Sequence, residues 1–261
     1  MSTKVSVASK KNHTNDALDQ IKLVFTNDEP ALTIQGEGKY CGVPSVFVRL
    51  SGCNLRCEWI EINGRISSCD TPYSSHFPEK NIQTISEAIS KIAAFNCKHL
   101  VITGGEPFMN PNVVHLIRAA RDIGRYVSVE TNGTYSIDDE ADFLSISPKL
   151  STSIHKKSKN YESHESKRLN FQTLSKLVKR HHQLKFVINE EKEIEEVKEI
   201  IRTLTEINSE YDVSNVYLSP QGIDINLLSE KLKWMAEVAK YEGWNITDRL
   251  HIRIWGEMRG I

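Results

Sequence analysis

The chain has 261 residues, which at about 150 residues per domain allows one large domain or two small ones with a sizeable core. Its 33 Lys plus Arg against 34 Asp plus Glu leave a net charge of -1, so there is no long-range field to gather nucleic acid or an anionic membrane surface. Five cysteines cannot all pair, Met1 to Gln20 holds no signal-like apolar stretch, and no apolar run approaches the ~18 residues of a membrane span. The expectation is a cytoplasmic protein with reduced thiols.

Residues 1–20 are polar and aperiodic, which predicts a mobile extension, and the domain is expected over residues 21–261. From there, short β-branched runs at 45–50, 99–103, 126–130, 143–147, 184–188, 215–219 and 249–254 alternate with segments of helical period. Thr84-Ile-Ser-Glu87 is a capping-box sequence opening a stripe of Ile85, Ala88, Ile89 and Ile92. Asn110-Pro111 starts a second helix that ends at Gly124. Residues 191–207, with Ile194, Val197, Ile201 and Leu204 on one side, and 226–241, stopping at Gly243, predict two more. Residues 151–182, basic and rich in His and Ser, read as a loop followed by one helix from about Phe171. The irregular spacing of His155, His164, His181 and His182 points to a solvated face rather than a metal site. The alternation predicts an α/β fold, a mostly parallel sheet with helices outside, closed into a barrel or partial barrel.

Loops at the carboxyl ends of parallel strands converge on one face, and here they are polar and carry Gly or Pro. They are the cysteine segment after Leu50, Gly104-Gly105-Glu106-Pro107, Glu130-Thr131-Asn132-Gly133, Ser147-Pro148-Lys149 and Ser219-Pro220-Gln221-Gly222. The cysteine segment is Gly-Cys53-Asn-Leu-Arg-Cys57-Glu-Trp59, then Cys69-Asp70-Thr71-Pro72-Tyr73. Three soft thiolates on one loop suit a metal. A zinc site wants a fourth ligand, for which only His76 and Cys41 offer themselves. Buried inert thiols are the alternative, and the preferred reading for Cys41 and Cys97.

Gln35-Gly-Glu-Gly38, Phe47-Val-Arg49-Leu-Ser-Gly-Cys53-Asn-Leu-Arg-Cys57, Cys69-Asp-Thr-Pro-Tyr73, Thr103-Gly-Gly-Glu-Pro107, Glu130-Thr-Asn-Gly-Thr134, Ser147-Pro-Lys149 and Arg249-Leu-His-Ile-Arg-Ile-Trp-Gly256 together resemble the 7-carboxy-7-deazaguanine synthases. These are radical S-adenosylmethionine (radical SAM) lyases. The resemblance runs from about Ile21 to the end of the chain. One departure falls on the cysteines: the family spacing is three residues and then two, whereas here it is three and then eleven. Residues 60–68 read as a loop insertion that returns Cys69 to the cluster, with Asn63-Gly64 as the turn, and closing the longer loop costs only on the order of 1 kcal/mol.

The resemblance implies the partial barrel of radical SAM enzymes, a [4Fe-4S] cluster on Cys53, Cys57 and Cys69, and S-adenosylmethionine on the iron that has no cysteine. Reductive cleavage of the sulfonium then yields a 5′-deoxyadenosyl radical, so no acid/base pair is required beyond cofactor- and substrate-positioning residues. Similarity assigns Gly104, Gly105, Glu106, Glu130, Asn132, Ser147, Pro148, Lys149, Ser219, Pro220, Gln221 and Gly222 to S-adenosylmethionine. It assigns Ile34, Gln35, Gly36, Glu37, Arg49, Thr103 and the chain end at Ile261 to the pterin substrate, Arg49 facing its carboxylate. Thr71 would ligate a Mg²⁺ ion. Also implied are a small pterin as substrate, an electron donor such as flavodoxin or ferredoxin, a homodimer, and no nucleic acid or membrane partner. Two other readings stay open: a different radical SAM enzyme, such as an activase making protein glycyl radicals, and a non-enzymatic zinc or adenosyl-binding module.

Overall fold

The computed structural model describes residues 18–61, 64–138, 140–209 and 211–259. Most of the polar extension, Asn63 of the expected turn and the chain end at Ile261 therefore lie outside the described residues. In chain order the elements are β1 (Lys22–Phe25), β2 (Ala31–Ile34), β3 (Pro44–Leu50), β4 (Glu58–Ile60), β5 (Ile66–Ser68), β6 (Asn81–Thr84), α1 (Ile85–Ala93), β7 (His99–Gly104), α2 (Val113–Asp122), β8 (Tyr126–Thr131) and β9 (Phe143–Ile146). They continue with α3 (Tyr161–Glu165), α4 (Phe171–Leu177), β10 (His182–Ile188), α5 (Glu193–Ile207), β11 (Val216–Pro220), α6 (Ile225–Glu242), β12 (Asn245–Ile246) and α7 (Leu250–Trp255).

The main sheet has the order β12-β11-β10-β9-β8-β7-β3-β1-β6, with β2 also on β3. From β3 through β12 every pairing is parallel, and β1, β2 and β6 add antiparallel edges. The result is the expected partial (β/α) barrel. No helix among the described residues is long and apolar enough to cross a membrane.

Strand alternation divides the two faces. Val46, Val48, Leu50, Leu100, Ile102, Val127, Val129, Leu144, Ile146, Leu184 and Phe186 are buried together with Ile92, Leu116, Ile117, Val197 and Leu204 of the helices. The opposite face is layered. At its base Tyr40 meets His99, Tyr126 and Phe143 edge-on, and His99 bonds Ser45 at 2.7 Å and Ser128 at 2.6 Å. Nearer the carboxyl ends the register sets Arg49 beside Thr103 and Glu130 beside Ser145. The aromatic layer thus closes one end, and the polar layer faces the loops that carry chemistry.

Six of the seven expected strands are present, together with the helices begun by Thr84 and ended by Gly124 and Gly243. Four expectations need correction. Most of the strand expected at 249–254 lies instead in helix α7, because Asn245–Ile246 takes the place beside β11 and the tail must close its own hydrogen bonds. In the helix the Leu250, Ile252, Ile254 alternation marks no single face, since Ile252 is buried and Ile254 is exposed. Asn110 caps a turn, its Oδ1 accepting from Asn112 N, and α2 itself begins at Val113. The His-rich segment is not a solvated face: it contains α3, and His164 and His182 are buried while His181 is exposed. Cys97 packs in the core as expected, but Cys41 is exposed.

The capping box of α1 is complete, Thr84 Oγ1 accepting from Glu87 N at 3.2 Å and Glu87 accepting from Thr84 N at 2.8 Å. Thr84→Ala should lower the unfolding free energy by about 1 kcal/mol, read by urea denaturation of the apo protein. An unchanged midpoint would contradict a stabilising role for this cap.

Candidate active site

A cavity of about 640 Å³ opens at the carboxyl ends of the strands, a size that suits a cofactor and a small substrate. Its walls hold Cys53, Cys57, Cys69 and Thr71; Ile34, Gln35, Gly36, Glu37, Arg49 and Thr103; and Gly104, Gly105, Glu130, Asn132, Ser147, Lys149, Ser219, Pro220, Gln221 and Gly222. Of the positions anticipated from resemblance, Glu106 and Pro148 are outside this lining, and Ile261 is outside the described residues.

The cysteine loop is held both from within and by neighbouring loops. Arg56 Nη1 donates to the carbonyls of Cys53 and Leu55 at 2.7 and 2.8 Å. Leu55 is buried, and Asn54 exchanges hydrogen bonds with Asn132 and Thr134 in the loop after β8. Cys57 O accepts from Cys69 N at 3.1 Å, so the third cysteine returns beside the second. Of the residues read as an insertion, Ile60 ends β4 and Ile66–Ser68 form β5, and the antiparallel β4–β5 pair brings Trp59, Ile66 and Ser67 to the cavity wall. Ser67 accepts from Gln221 Nε2 at 3.2 Å, and Ile60 O accepts from Asn189 Nδ2 at 3.1 Å, which fastens the hairpin across the mouth.

The Gly104-Gly105 turn leaves no room for side chains. A Cβ on Gly104, where φ is +129°, would lie 2.0 Å from Leu50 O, and one on Gly105 would lie 1.9 Å from Gly52 O. The glycines let this turn pack onto the cysteine loop, with Gly105 N donating to Leu50 O and Glu106 N to Gly52 O. Glu106 points away from the cavity. Its carboxylate accepts from Thr131 Oγ1 at 2.7 Å, Asn132 N at 2.6 Å and Phe108 N at 3.0 Å, and burial pushes it up to about 7.

On the sheet side, Glu130 accepts from Gln35 Nε2 at 3.0 Å and Thr103 Oγ1 at 2.9 Å. Glu130 therefore sits with residues anticipated for the pterin. Burial alone would raise the Glu37 carboxyl, but Lys185 and then Arg249 hold it well below the usual carboxylate range. Arg249 also donates to Gly222 O at 2.7 Å and pairs with Asp70 at 2.6 Å. Sequence reasoning missed Lys185, Asp70 and Asn54 as members of this site. Arg249 carried a signal, since it begins the C-terminal motif. At the mouth, Arg259 stacks 3.6 Å over Tyr73 and pairs with Asp28 and Glu79.

The three thiols suit an iron–sulfur group. Cys57 is buried, Cys53 and Cys69 are half-buried, and all are free. Burial pushes the Cys53 thiol up to about 11 and raises those of Cys57 and Cys69. A bare thiolate is costly there, and bonding to iron removes that cost. Leu55 N also points at Cys53 Sγ at 3.4 Å, the kind of N–H···S contact that tunes such clusters.

The fold and the cysteine-bearing cavity are those of a radical SAM protein, and the model of the Radical SAM superfamily matches residues 47–226. Within that superfamily, the chain belongs to the 7-carboxy-7-deazaguanine synthase family. It is 38% identical to the 7-carboxy-7-deazaguanine synthase of Rhodopirellula baltica, covering 89% of this chain and 87% of that protein. The protein of the same name from Halobacterium salinarum is 32% identical, over 88% of this chain and 93% of its own. The crystal structure of QueE from Escherichia coli superposes with a TM-score of 0.67 at 21% identity, covering 92% of this chain and 100% of the other, and so shares the fold.

Arg49 Nε lies 3.3 Å from Glu29 Oε1, and burial raises the Glu29 carboxyl from 4.5 to about 7 against the pull of Arg49. Because the folded value is the higher one, its stabilising contribution is complete below 4.5 and is lost as pH rises through about 7. Glu29→Gln should abolish that loss. Between about pH 5 and 8 its unfolding free energy should fall less steeply than that of the wild type, by up to about 1.4 kcal/mol per pH unit in urea denaturation. Parallel profiles would contradict the shift.

Proposed function

We propose that this chain converts 6-carboxy-5,6,7,8-tetrahydropterin to 7-carboxy-7-deazaguanine with loss of ammonia. The observation that carries this reading is that one cavity joins the three cysteines to Arg49 and to the Gln35, Thr103, Glu130 group. Cys53, Cys57 and Cys69 would hold the [4Fe-4S] cluster. Gly104, Gly105, Asn132, Ser147, Lys149, Ser219, Pro220, Gln221 and Gly222 would border S-adenosylmethionine, with Glu106 supporting the loop after β8 through Thr131 and Asn132. When bound, these groups would supply one-electron chemistry, with the electron coming from an external donor such as flavodoxin or ferredoxin.

The remaining roles belong to the protein. The guanidinium of Arg49 offers the planar fork that matches a carboxylate. Glu130, steadied by Gln35 and Thr103, presents acceptor oxygens to the N–H groups of a pterin edge. Ile34 and Gly36 form the wall beside it, and Glu37 is held by Lys185 and Arg249 so that the cations there stay neutralised. Thr71 would supply a hydroxyl to Mg²⁺ beside the substrate carboxylate, a hard donor for a hard ion. The hairpin across the mouth and the tail pinned by Arg259 restrict water, and Ile261 follows two residues later.

The reaction is tested by anaerobic turnover of the carboxytetrahydropterin with S-adenosylmethionine, a reductant and Mg²⁺. Wild type should form the deazaguanine and 5′-deoxyadenosine. Arg49→Ala should raise KM for the pterin about 10- to 100-fold while leaving the iron content unchanged. Deoxyadenosine without the deazaguanine would refute the substrate.

A further inference from the structure

The segment that the sequence presents as a solvated, basic stretch grips the cysteine loop on both sides of Cys57. Before Cys57, Arg56 N donates to His164 Nδ1 at 3.1 Å. After it, Glu58 Oε2 lies 3.1 Å from His155 Nε2. His164 is buried, and its other nitrogen, Nε2, lies 2.9 Å from the buried Ser153 Oγ. Since Nδ1 accepts from a backbone N–H, the ring proton belongs on Nε2 and is donated to Ser153.

The base of this grip is itself anchored. Glu196 on α5 accepts from Ser151 N and Oγ at one end of the segment and from Arg168 at the other. Arg168 also donates to the carbonyl of cavity-lining Lys149 at 3.0 Å. Ser153 and Ile154, between Ser151 and His155, are buried. Two histidines on a segment tied to a 15-residue helix thus reach the residues immediately before and after one cysteine.

We propose that His155 and His164 are positioning residues for Cys57, holding the backbone and side chain of its two neighbours so that its sulfur faces the cluster. This rests on the assignment of Cys57 as a cluster ligand. Neither imidazole binds iron: each acts through a neighbour of Cys57, in the way outer-shell partners orient the ligands of a metal. Because the two histidines use different ring nitrogens, they call for different replacements. Asn places its Oδ1 near the Nδ1 of His164, and Gln places its amide nitrogen near the Nε2 of His155.

The test is the rate at which a chelator strips iron from the anaerobically reconstituted full-length protein, with iron and sulfide per chain measured at the start. His164→Leu and His155→Leu should lose the cluster about tenfold faster or more. His164→Asn and His155→Gln should stay within about threefold of wild type, whereas the crossed exchanges His164→Gln and His155→Asn should resemble the Leu variants. Thermal unfolding of the apo forms identifies any variant that fails to fold; if a Leu variant does, the Asn and Gln pair at that position decides. Equal behaviour of Asn and Gln at both positions, or wild-type stripping rates throughout, overturns the proposal. A Cys57→Ala protein that keeps all its iron overturns the ligand assignment beneath it, whereas iron loss in Cys57→Ala with wild-type rates in the histidine variants rejects the brace alone.

Discussion

Two backbone hydrogen bonds organise this cavity: Gly105 N to Leu50 O at 2.9 Å and Glu106 N to Gly52 O at 2.8 Å. They join the loop after β7 to the cysteine loop after β3, and Gly52 N in turn reaches Ser74 O. The approach leaves no room for a side chain at residue 104 or 105. Glu106 is drawn under the loop after β8 by the same contact, and its carboxylate orders Thr131 and Asn132. Asn132 then reaches Asn54 between the first two cysteines, closing a circuit of three loops. A buried carboxylate with three donors is worth having only where loop geometry matters, because its desolvation cost offsets much of the attraction.

The cavity is charged, but in balance. Arg49, Lys185 and Arg249 face Glu29, Glu37 and Asp70 across short contacts, so the site adds little to the outer field of a chain whose net charge is -1. Such a site suits a small acid bearing polar ring edges, since recognition comes from local forks and acceptors rather than from steering. The C-terminal motif belongs to this balance. Arg249 ties Glu37, Asp70 and Gly222 together, and Leu250 N donates to Gly36 O, which makes the tail a fourth wall.

Much of this was legible in the sequence where the signal is local. The strands β3, β7, β8, β9, β10 and β11 are mostly buried along their length, so their apolar character stands out, and the caps of α1 and α6 are written in adjacent residues. The strands β1, β2, β4, β5, β6 and β12 have four residues or fewer and, unlike the equally short β9, none is buried throughout, so no continuous apolar run marks them. The same division holds at the site. Most of the anticipated residues that do line the cavity belong to contiguous motifs at strand ends, whereas Lys185 became part of it through Glu37, 148 residues away. His164 looked solvent-facing because its partner, Arg56 N, is 108 residues distant. Burial of a polar side chain depends on such partners, and composition does not reveal them.

The central claim is that three cysteines hold a cluster with one iron left open to S-adenosylmethionine. Electron paramagnetic resonance of the anaerobically reconstituted, reduced protein tests it most directly. The expected result is about four iron and four sulfide per chain and a [4Fe-4S]⁺ signal whose g values shift when S-adenosylmethionine is added. A colourless protein, or a cluster signal that S-adenosylmethionine leaves unchanged, would contradict it.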